Sequence, residues 1–502
     1  MATAGPGTSK GATPEAATGN VVVVGGGVAG LAAALSLARQ GRAVTVLERD
    51  ATPLPADPEE AFGWDRRGAP QVRHSHAFLA RLHSLLRDHY PDVLEALLAA
   101  GATEQRFGQH LPPTMVGFEL EPGDEDLVML CCRRTTFEWV LRRAVLAEGR
   151  VDLRTGAAVR GLVSAGAADA GRPVQVTGVR LDSGDELPAA LTVVATGRRS
   201  ALPAWLCELG APDVPEESDD TGIVYLSRFY RLHEAAPPPA LSAAVGGDLG
   251  YLKYGVFAGD NRTFSITLAV PVVDDELRRL LSAPTAFDAT ARTLTPAAEW
   301  LAGSPEPTTD VHVMAGLVNR WRDVVVDGQP LALGLHAVGD AQVCTNPLYG
   351  RGCTTGFWQA HLMAEAVRAH PGDPRSQAMA LDAATRQHLL PWYRASVNQD
   401  AEARRVAAAL LAGEDPDADQ SDPRAFVRAV FRDGLLPALR RDPVVLRAFV
   451  RNFNLLSPPE ALIKDPDVSA RVLAAWNERD RRPPEEPTGP ATREDLLALL
   501  AA

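Results

Sequence analysis

The fold is decided by residues 20–49, which read NVVVVGGGVAGLAAALSLARQGRAVTVLER. The apolar run Val21–Val24 is typical of a buried strand, and the alanines and leucines of Val28–Gln40 have the spacing of a helix. Gly41 is placed to end that helix, and Ala43–Leu47 predicts a second strand. Together these segments predict a βαβ unit, the opening of a Rossmann-like α/β fold.

Three glycines between the first strand and the helix have the spacing Gly-x-Gly-x-x-Gly. In dinucleotide-binding folds the first glycine makes the turn, the second lets the backbone approach a pyrophosphate, and the third allows close packing of the helix. The helix N-terminus adds free N–H groups, and an acidic residue after the second strand accepts hydrogen bonds from a ribose. That acidic residue favours FAD or NAD over NADP as the ligand. The alternative to a dinucleotide site is that the glycines only form a tight turn in an unrelated α/β protein. The predicted cofactor-binding residues of this unit are Gly25, Gly27, Val28, Ala29, Gly30, Glu48 and Arg49.

The composition is that of a globular protein. The chain has 502 residues, of which 46% are hydrophobic and 23% charged, which excludes collagen-like, disordered and multi-span membrane proteins. With 50 basic and 63 acidic residues the formal net charge is −13, so nucleic acid is disfavoured as a partner because the mean field repels polyanions. The five cysteines show no CxxC spacing, so we predict no disulfide framework, no metal site and a cytoplasmic location.

Beyond the first unit, the chain divides by pattern into a sheet region and a helical region. Residues 76–100 have the spacing of one helix, and Leu331–Val338 reads as one buried strand. Alternating apolar and polar residues between 221 and 272 predict an antiparallel sheet with one covered face. We predict a disordered tail over 1–19, a nucleotide-binding domain over 20–205 and 318–370, a substrate-binding sheet domain over 206–317 to which 75–130 partly contribute, and a helical C-terminal region over 371–502.

A second motif follows the predicted strand Leu331–Val338. The segment Val338-Gly339-Asp340-Ala341 precedes Asn346-Pro347-Leu348-Tyr349-Gly350-Arg351-Gly352, and Arg134 precedes a helical segment. These segments resemble, in the same order, the FAD motifs of flavoprotein aromatic hydroxylases and related epoxidases. The resemblance implies an FAD-binding domain in which Asp340 holds the ribityl chain and Arg134 contacts the flavin side. It adds to the cofactor-binding set the residues Arg134, Gly339, Asp340, Pro347, Gly350, Arg351 and Gly352.

A further segment points to one subgroup of these flavoproteins. Gly68-Ala69-Pro70-Gln71-Val72-Arg73-His74-Ser75-His76 is similar to Gly-Val-Pro-Gln-x-Arg-His-x-His of bacterial polyether epoxidases and their FAD-dependent relatives. This implies a monooxygenase that transfers one oxygen atom from O2, through a flavin C4a-hydroperoxide, to an apolar small molecule of secondary metabolism, with epoxidation favoured. Arg73 joins the cofactor-binding set. The alternatives are a hydroxylase of an aromatic or phenolic substrate and a flavin dehydrogenase or reductase that does not activate O2.

The motif that serves NADPH in related hydroxylases is incomplete in this chain. Single-component aromatic hydroxylases carry Asp-Gly-x-x-Ser-x-x-Arg, which serves FAD and NADPH, but here Thr196 replaces the aspartate and Pro203 the arginine. The resemblance therefore favours reduction by a separate NAD(P)H:flavin reductase over direct reduction by NAD(P)H. The tryptophan motif Trp-x-Trp-x-Ile-Pro of flavin halogenases is absent, which argues against halogenation.

Two histidines and several aromatic residues are candidates for catalysis and for substrate binding. His74 and His76 share one face if their segment is extended, and either is a candidate acid or base. A structural role is the alternative, and the further ligands that a metal needs are missing. Aromatic residues of the predicted sheet could line an apolar pocket or simply pack its core. The candidate substrate-binding residues are Tyr225, Phe229, Phe257, Phe264 and Trp358.

Overall fold

The computed structural model describes residues 19–501 except residues 110, 113, 116, 167–171, 235–245, 420, 423 and 483–486. Apart from Gly19, the tail predicted over residues 1–19 lies outside the described residues.

The first part of the chain mixes parallel strands with helices. Its elements are β1 (Val21–Val24), α1 (Val28–Arg39), β2 (Val44–Glu48), α2 (Pro58–Phe62), α3 (Ala80–His89), α4 (Pro91–Ala99), β3 (Thr103–Arg106), β4 (Val128–Cys131), α5 (Arg134–Ala147), β5 (Val151–Thr155), β6 (Val159–Ser164), β7 (Val174–Leu181), β8 (Glu186–Pro188), β9 (Leu191–Val194) and α6 (Leu202–Glu208). Short 3-10 helices lie at Pro70–Arg73, Asp124–Asp126 and Gly197–Arg199.

The middle part is rich in strands. Its elements are β10 (Glu216–Asp220), β11 (Ile223–Arg231), β12 (Gly246–Asp248), β13 (Lys253–Ala258), β14 (Thr263–Pro271), α7 (Asp275–Leu281), α8 (Pro284–Thr293), α9 (Thr295–Leu301), β15 (Glu306–Pro307), β16 (His312–Met314), β17 (Val318–Arg322), β18 (Val325–Val326), β19 (Gln329–Pro330), β20 (Ala332–Leu333), β21 (Leu335–Ala337) and β22 (Val343–Cys344). Short 3-10 helices at Gly339–Ala341 and Pro347–Tyr349 follow β21 and β22.

The last part is helical, as the sequence predicts. Its elements are α10 (Gly352–Ala369), α11 (Pro374–His388), α12 (Leu390–Leu411), α13 (Ala425–Val430), α14 (Leu436–Leu439), α15 (Pro443–Phe453), α16 (Ala461–Lys464), α17 (Pro466–Asn477) and α18 (Arg493–Ala501), with a π-helical turn at Phe431–Leu435 and a 3-10 helix at Arg479–Arg481. None of the described helices is long and apolar enough to cross a membrane.

A parallel sheet of the order β21-β9-β1-β2-β5 forms the Rossmann-like layer. All four residues of β1 are buried because both faces of this sheet are covered. Val21 and Val23 pack into the cluster that holds α1, α5 and α10, whereas Val22 and Val24 pack into a cluster with α6 and β7. The predicted βαβ unit and mixed α/β fold are confirmed.

An antiparallel sheet of the order β12-β13-β14-β11-β15, with β16 also paired to β11, forms the second layer. Alternate residues of β11 point to opposite faces. Leu226 and Tyr230 pack with Phe287 and Trp300 of α8 and α9, so this face holds its own core. Ser227 and every second residue along the strand from it lie on the other face, which segment 74–76 contacts. Both faces of the sheet are therefore covered, and the prediction of a single covered face is wrong.

Two local expectations are also wrong, each for a backbone reason. The helix predicted over 76–100 divides into α3 and α4 because Pro91 has no N–H to continue a helix and instead begins the next one. Residues 74–79 stay outside both helices and become part of the site. The strand predicted over Leu331–Val338 is interrupted at Gly334, whose φ of +70° is a left-handed conformation, and β20 and β21 then join different sheets.

Candidate active site

The glycine turn between β1 and α1 has the geometry that its spacing predicts. Gly25 has a φ of +108°, and a Cβ there would lie 2.5 Å from the Ala195 carbonyl oxygen. A Cβ on Gly30 would lie 1.9 Å from the Gly25 carbonyl oxygen, so only glycine lets α1 start so close to the turn. By contrast, a Cβ on Gly27 would meet nothing within 4 Å. The chain is therefore crowded at Gly25 and Gly30 and open at Gly27, where a pyrophosphate would approach.

The start of α1 supplies donors at this open position. The first helical hydrogen bond of α1 runs from the Leu31 N–H to the Gly27 carbonyl, which leaves the N–H groups of Val28, Ala29 and Gly30 without an intrahelical acceptor. Such N–H groups at a helix N-terminus bind anions. These residues fit a dinucleotide pyrophosphate.

Glu48 ends β2 beside this turn, with 5% of its surface exposed. Its Oε2 accepts a hydrogen bond from the Gly26 N–H at 3.1 Å, and its Oε1 accepts one from the Asp50 N–H at 2.9 Å. The neighbouring Arg49, also predicted to bind the cofactor, is exposed. Glu48 is therefore fixed at the mouth of the turn, in the place expected for a ribose acceptor.

Arg66 completes this end of the site and was missed by the sequence analysis. Its guanidinium donates to Glu138 at 2.7 Å, to Asp50 at 2.9 Å and to Glu48 at 3.1 Å. Burial disfavours its charge, but Glu138 and Glu48 outweigh burial and raise the pKa of Arg66 above its ordinary value. The ring of Trp64 stacks beneath it, with the guanidinium carbon 5.1 Å from the ring centroid.

A row of charged side chains on α5 extends from the glycine turn toward Asp340, and we call the turn, Glu48, this row and Asp340 together the groove. Arg134, Glu138 and Arg142 follow each other at one-turn intervals, so the row extends about 12 Å along the helix. Arg142 donates to the Gly26 carbonyl at 3.2 Å, and Arg134 forms an ion pair with Glu138 at 2.9 Å. The Nε and Nη1 atoms of Arg134 are buried without a hydrogen-bond partner. An oxygen-rich ligand in the groove would satisfy these donors.

Asp340 lies at the other end, in the 3-10 turn after β21. The preceding Gly339 has a φ of +62°, and a Cβ on it would lie 2.8 Å from the Cβ of Ala29, so the turn packs directly on the start of α1. Burial raises the pKa of Asp340, and the guanidinium groups of Arg198, Arg134 and Arg320 oppose part of that rise. Among the described residues, the donor found for its carboxylate is the Cys344 thiol. The carboxylate is thus available to hydroxyl groups of a ligand.

The loop after Asp340 carries the Pro347–Gly352 motif and begins α10. Gly350 has a φ of +65°, and a Cβ there would lie 2.8 Å from the Cβ of Ala77. Pro347 and Gly352 are exposed, and a Cβ on Gly352 would meet nothing within 4 Å. The first turn of α10 also reaches Leu79, whose N–H donates to the Thr354 hydroxyl at 3.3 Å. This open loop fits the edge of a ring system.

Arg351 does not join this open surface. Its guanidinium lies 4.6 Å from the ring of Tyr349 and 4.7 Å from that of Trp392, and its Nη1 donates to Ser396 at 2.9 Å. Burial lowers its pKa to about 10. The predicted contact of Arg351 with a cofactor is not supported, because its side chain is committed to holding α12 against the loop.

A small pocket lies at the Arg134 end of the groove. It brings together both candidate histidines, Arg134 and three of the candidate aromatic residues. The lining residues are His74, His76, Cys132, Arg133, Arg134, Phe229, Phe257, Ala258, Gly259, Thr263, Phe264 and Ser265. Neighbouring Asp260 fixes Arg133, to which it lies as close as 2.6 Å, and so joins the pocket wall to the start of α5.

Both histidines of this pocket are neutral at physiological pH. Burial, with His312 and Arg198 nearby, lowers the pKa of His74 to about 4. Burial and the charge of Arg134 lower the pKa of His76 to about 3. Nδ1 of His74 lies 3.1 Å from the Ser227 hydroxyl, and Nδ1 of His76 lies 2.9 Å from the His74 carbonyl. Groups with such low pKa values are weak bases at pH 7.

Several candidates do not direct their side chains into the pocket, including Phe264 of its lining. The ring of Phe264 packs against Tyr230 and Trp300 on the opposite face of the sheet, because neighbouring residues of a strand alternate. Tyr225 donates its hydroxyl to Asn346 at 3.0 Å, and Trp358 packs against Arg81 and His388. Arg73 is exposed next to His312. In the described part of the chain, no group of three or more His, Cys, Asp or Glu side chains is arranged to hold a metal ion.

Comparisons with known proteins agree with this geometry. A sequence model of the family "FAD dependent oxidoreductase" matches residues 20–56, the segment that contains the glycine turn and Glu48. Protein Rv3254 of Mycobacterium tuberculosis is 28% identical over 499 residues, which cover 93% of this chain and 96% of that protein.

Two solved structures extend the likeness to the whole fold. PqsL of Pseudomonas aeruginosa, a probable FAD-dependent monooxygenase, has 16% sequence identity and a TM-score of 0.55, and the match covers 78% of this chain and 98% of PqsL. The flavin-dependent brominase Bmp2 has 16% identity and a TM-score of 0.57 over 92% of this chain and 98% of Bmp2. This chain shares its fold with these two flavin-dependent enzymes. Because a brominase shares it, the reaction must be argued from the site.

Proposed function

We propose that this protein is an FAD-dependent monooxygenase that transfers one oxygen atom from O2 to an apolar small molecule, with epoxidation as the favoured reaction. One observation carries the proposal. Glu48 contacts the glycine turn and the turn of Asp340 contacts the start of α1, and Arg134, whose charge acts on Asp340, also lines the pocket that holds Phe229 and Phe257.

The groove residues fit FAD by their chemistry. Backbone N–H groups at Gly27 and the start of α1 would hold the pyrophosphate, Glu48 the adenosine ribose and Asp340 the ribityl hydroxyls. The unpartnered nitrogens of Arg134 and the open loop at Gly352 would lie at the flavin ring. Bound FAD would supply the redox chemistry that activates O2. The protein's part is to orient the substrate and to exclude water.

Epoxidation is favoured over phenol hydroxylation because of the two histidines. Hydroxylation of a phenol is helped by a base that removes the phenolic proton, whereas oxygen transfer to an alkene needs none. His74 and His76, with pKa values of about 4 and about 3, are poorly suited to that base role at neutral pH. Phe229 and Phe257 offer the apolar surface that an alkene requires.

The electrons are proposed to come from a separate NAD(P)H:flavin reductase. Thr196 and Pro203 stand where single-component hydroxylases have a charged pair, and the Thr196 hydroxyl donates to Ser200 at 2.6 Å. The five cysteines are unpaired, which supports a reducing compartment such as the cytoplasm. Halogenation is not favoured, since the tryptophan motif of halogenases is absent and Lys253 of β13 is paired with Asp248.

The proposal is tested by labelled oxygen. The purified chain is loaded with FAD, supplied with NADH and a flavin reductase under 18O2, and incubated with a panel of aryl alkenes and the matching phenols. We expect epoxides that carry one 18O atom per molecule, and no product from a Gly27→Ala variant that does not bind FAD. Reduced FAD consumed with only hydrogen peroxide formed, across both panels, would contradict the assignment.

A further inference from the structure

A continuous chain of side-chain hydrogen bonds begins and ends at the pocket. Nδ1 of His74 lies 3.1 Å from the Ser227 hydroxyl, which lies 2.8 Å from the Thr267 hydroxyl. Thr267 donates to Ser75 at 2.7 Å, and Ser75 donates to Ser265 at 2.7 Å. His74, Ser227, Ser265 and Thr267 are all buried, and both end residues line the pocket.

The strand register builds this chain. Ser227 of β11 lies directly opposite Thr267 of β14, and Phe229 lies opposite Ser265 in the next pair on the same face. On the other side of β14, Phe257 of β13 also lies opposite Ser265. Ser265 therefore lies between two phenylalanines in one row across the sheet.

Each hydroxyl has a single proton, and this sets the direction of the whole chain. Thr267 uses its proton toward Ser75, so the hydrogen bond between Ser227 and Thr267 must be donated by Ser227. Ser227 then has no proton left for His74, so the imidazole must donate from Nδ1 to Ser227. At the far end, Ser265 accepts from Ser75, and no acceptor is found for its own proton within the described ranges.

We infer that His74 is the Nδ1–H tautomer and that Ser265 donates its hydroxyl proton into the pocket, so that the pocket selects apolar molecules carrying a neutral acceptor oxygen, such as a ketone or an ester. The tautomer stands on the hydrogen-bond geometry alone, whereas the substrate class rests on the proposed function of the pocket. His74 and Ser265 act as positioning and recognition residues.

The electrostatics of the pocket wall support a neutral ligand. The charge of Arg133 is paired with Asp260 and Glu59, and that of Arg134 with Glu138, which Arg66 shares, while Nε and Nη1 of Arg134 keep the free donors assigned above to the cofactor. The rings of Phe229 and Phe257 would desolvate a charged group without compensation. A carbonyl or ether oxygen over Ser265, by contrast, would receive one hydrogen bond and leave its apolar remainder against the rings.

The tautomer is read by long-range 1H–15N correlation spectroscopy on the full chain with 15N-labelled histidine. In the Nδ1–H form the unprotonated nitrogen is Nε2, which couples to both carbon-bound ring protons. A His74→Gln variant identifies the signals of His74 by their loss. We expect the Nδ1–H pattern at pH 7, with and without FAD. A pattern of the Nε2–H form would overturn the inferred direction.

A Thr267→Val variant tests whether the chain sets the tautomer. Valine keeps the shape but removes the hydroxyl, so Ser227 is free to donate to His74, and the Nε2–H form should become populated. Thr290→Val is the matched control, because Thr290 is buried in the other core and its hydroxyl has no partner. An unchanged His74 signal in a folded Thr267→Val protein would contradict the chain; a changed one in Thr290→Val would do so as well.

The recognition step is tested with a pair of isosteric probes. Acetophenone carries a carbonyl oxygen where α-methylstyrene carries a methylene group, and their binding to the oxidised FAD-loaded protein is measured by titration without reductant. We expect acetophenone to bind about fivefold more tightly than α-methylstyrene, which is the ratio of dissociation constants that one neutral hydrogen bond produces. We expect this preference to vanish in Ser265→Ala. Equal binding by the wild-type protein, or an unchanged preference in Ser265→Ala, would overturn the inference.

These outcomes separate the inference from the proposed function. A protein that shows the Nδ1–H tautomer and a Ser265-dependent preference, but yields no oxygenated product, would retain this inference and lose the monooxygenase assignment. Oxygenation without the tautomer or the preference would do the reverse.

Discussion

The carboxylate of Asp400 on α12 lies 2.7 Å from the side-chain amide of Asn346, the residue that opens the Pro347–Gly352 loop. The same carboxylate accepts hydrogen bonds from Asn319 at 2.6 Å and from the Tyr349 hydroxyl at 2.8 Å. Ser396, one turn earlier on α12, binds Arg351. The helical C-terminal region therefore fixes the loop that we place beside the flavin.

Replacing this carboxylate should weaken both the fold and cofactor binding. In Asp400→Asn one carboxylate oxygen becomes an NH2 group that faces at least one of the three donors, and we expect a loss of about 2 kcal/mol in the free energy of unfolding because a buried donor loses its acceptor. The affinity for FAD should fall with it, as the loop is released. Urea unfolding and FAD titration measure the two effects. Asp213→Asn, at an exposed position, is the control, and equal behaviour of the two variants would disprove the role of Asp400.

Two glycine substitutions should separate cofactor binding from folding. Gly27→Ala adds a methyl group in free space, so the FAD-free protein should melt at an unchanged temperature while its FAD affinity falls at least tenfold, since the methyl group blocks the pyrophosphate. Gly30→Ala places its methyl group 1.9 Å from the Gly25 carbonyl oxygen and should destabilise the FAD-free protein itself. Thermal melting and FAD fluorescence titration would distinguish them. Normal FAD binding by Gly27→Ala would refute the assigned pyrophosphate position.

Asp340→Asn should lower FAD affinity without harming the fold. Burial raises the pKa of Asp340, so loss of its charge does not destabilise the FAD-free protein. The amide is a weaker acceptor for a hydroxyl group than a carboxylate, and we expect about tenfold weaker FAD binding. Equilibrium titration gives the affinity and thermal melting the stability. A variant that binds FAD as tightly as the wild type would remove Asp340 from the cofactor site.

Burial of His74 should make stability depend on pH. The pKa of His74 is lowered to about 4 in the folded protein, below the ordinary value near 6.5, so the unfolded chain binds the extra proton first. The free energy of unfolding therefore decreases as the pH falls from about 6.5 to about 4. At pH 5 the loss due to His74 amounts to roughly 2 kcal/mol. His74→Gln should reduce the fall in unfolding free energy between pH 7 and pH 5 by that amount. Exposed His233→Gln should not, and an identical slope in all three proteins would contradict the burial of a neutral His74.

The sequence was most informative where a role depends on the local backbone. The separate positions of Gly25, Gly27 and Gly30 follow from a single turn, and the structure has the crowding and the open space that the motif predicts. The partners of Glu48 were harder to predict from the sequence, because Arg66 binds Glu48 from a loop with no regular pattern. The spacing of Arg134, Glu138 and Arg142 along one helix was a usable signal that the sequence analysis did not take up.

Side-chain environments built by distant segments could not be predicted. Arg351 lies in a cofactor-like motif, but Trp392 and Ser396 on α12 surround its guanidinium. Phe257 and Phe264 belong to paired strands, and their opposite facing follows only from the register of β13 and β14. The hydroxyl chain likewise requires that register together with segment 74–76, of which the sequence placed His76 at the start of a helix.

The most direct test of the account is the reaction of the reduced protein with O2. The FAD-loaded chain is reduced without air, mixed rapidly with oxygenated buffer, and followed by absorbance spectra over milliseconds to minutes. We predict a transient spectrum that differs from those of both oxidised and reduced FAD and that decays faster when an alkene substrate is present. A return to oxidised FAD in one step, with no transient and no effect of any substrate, would contradict the assignment as a monooxygenase.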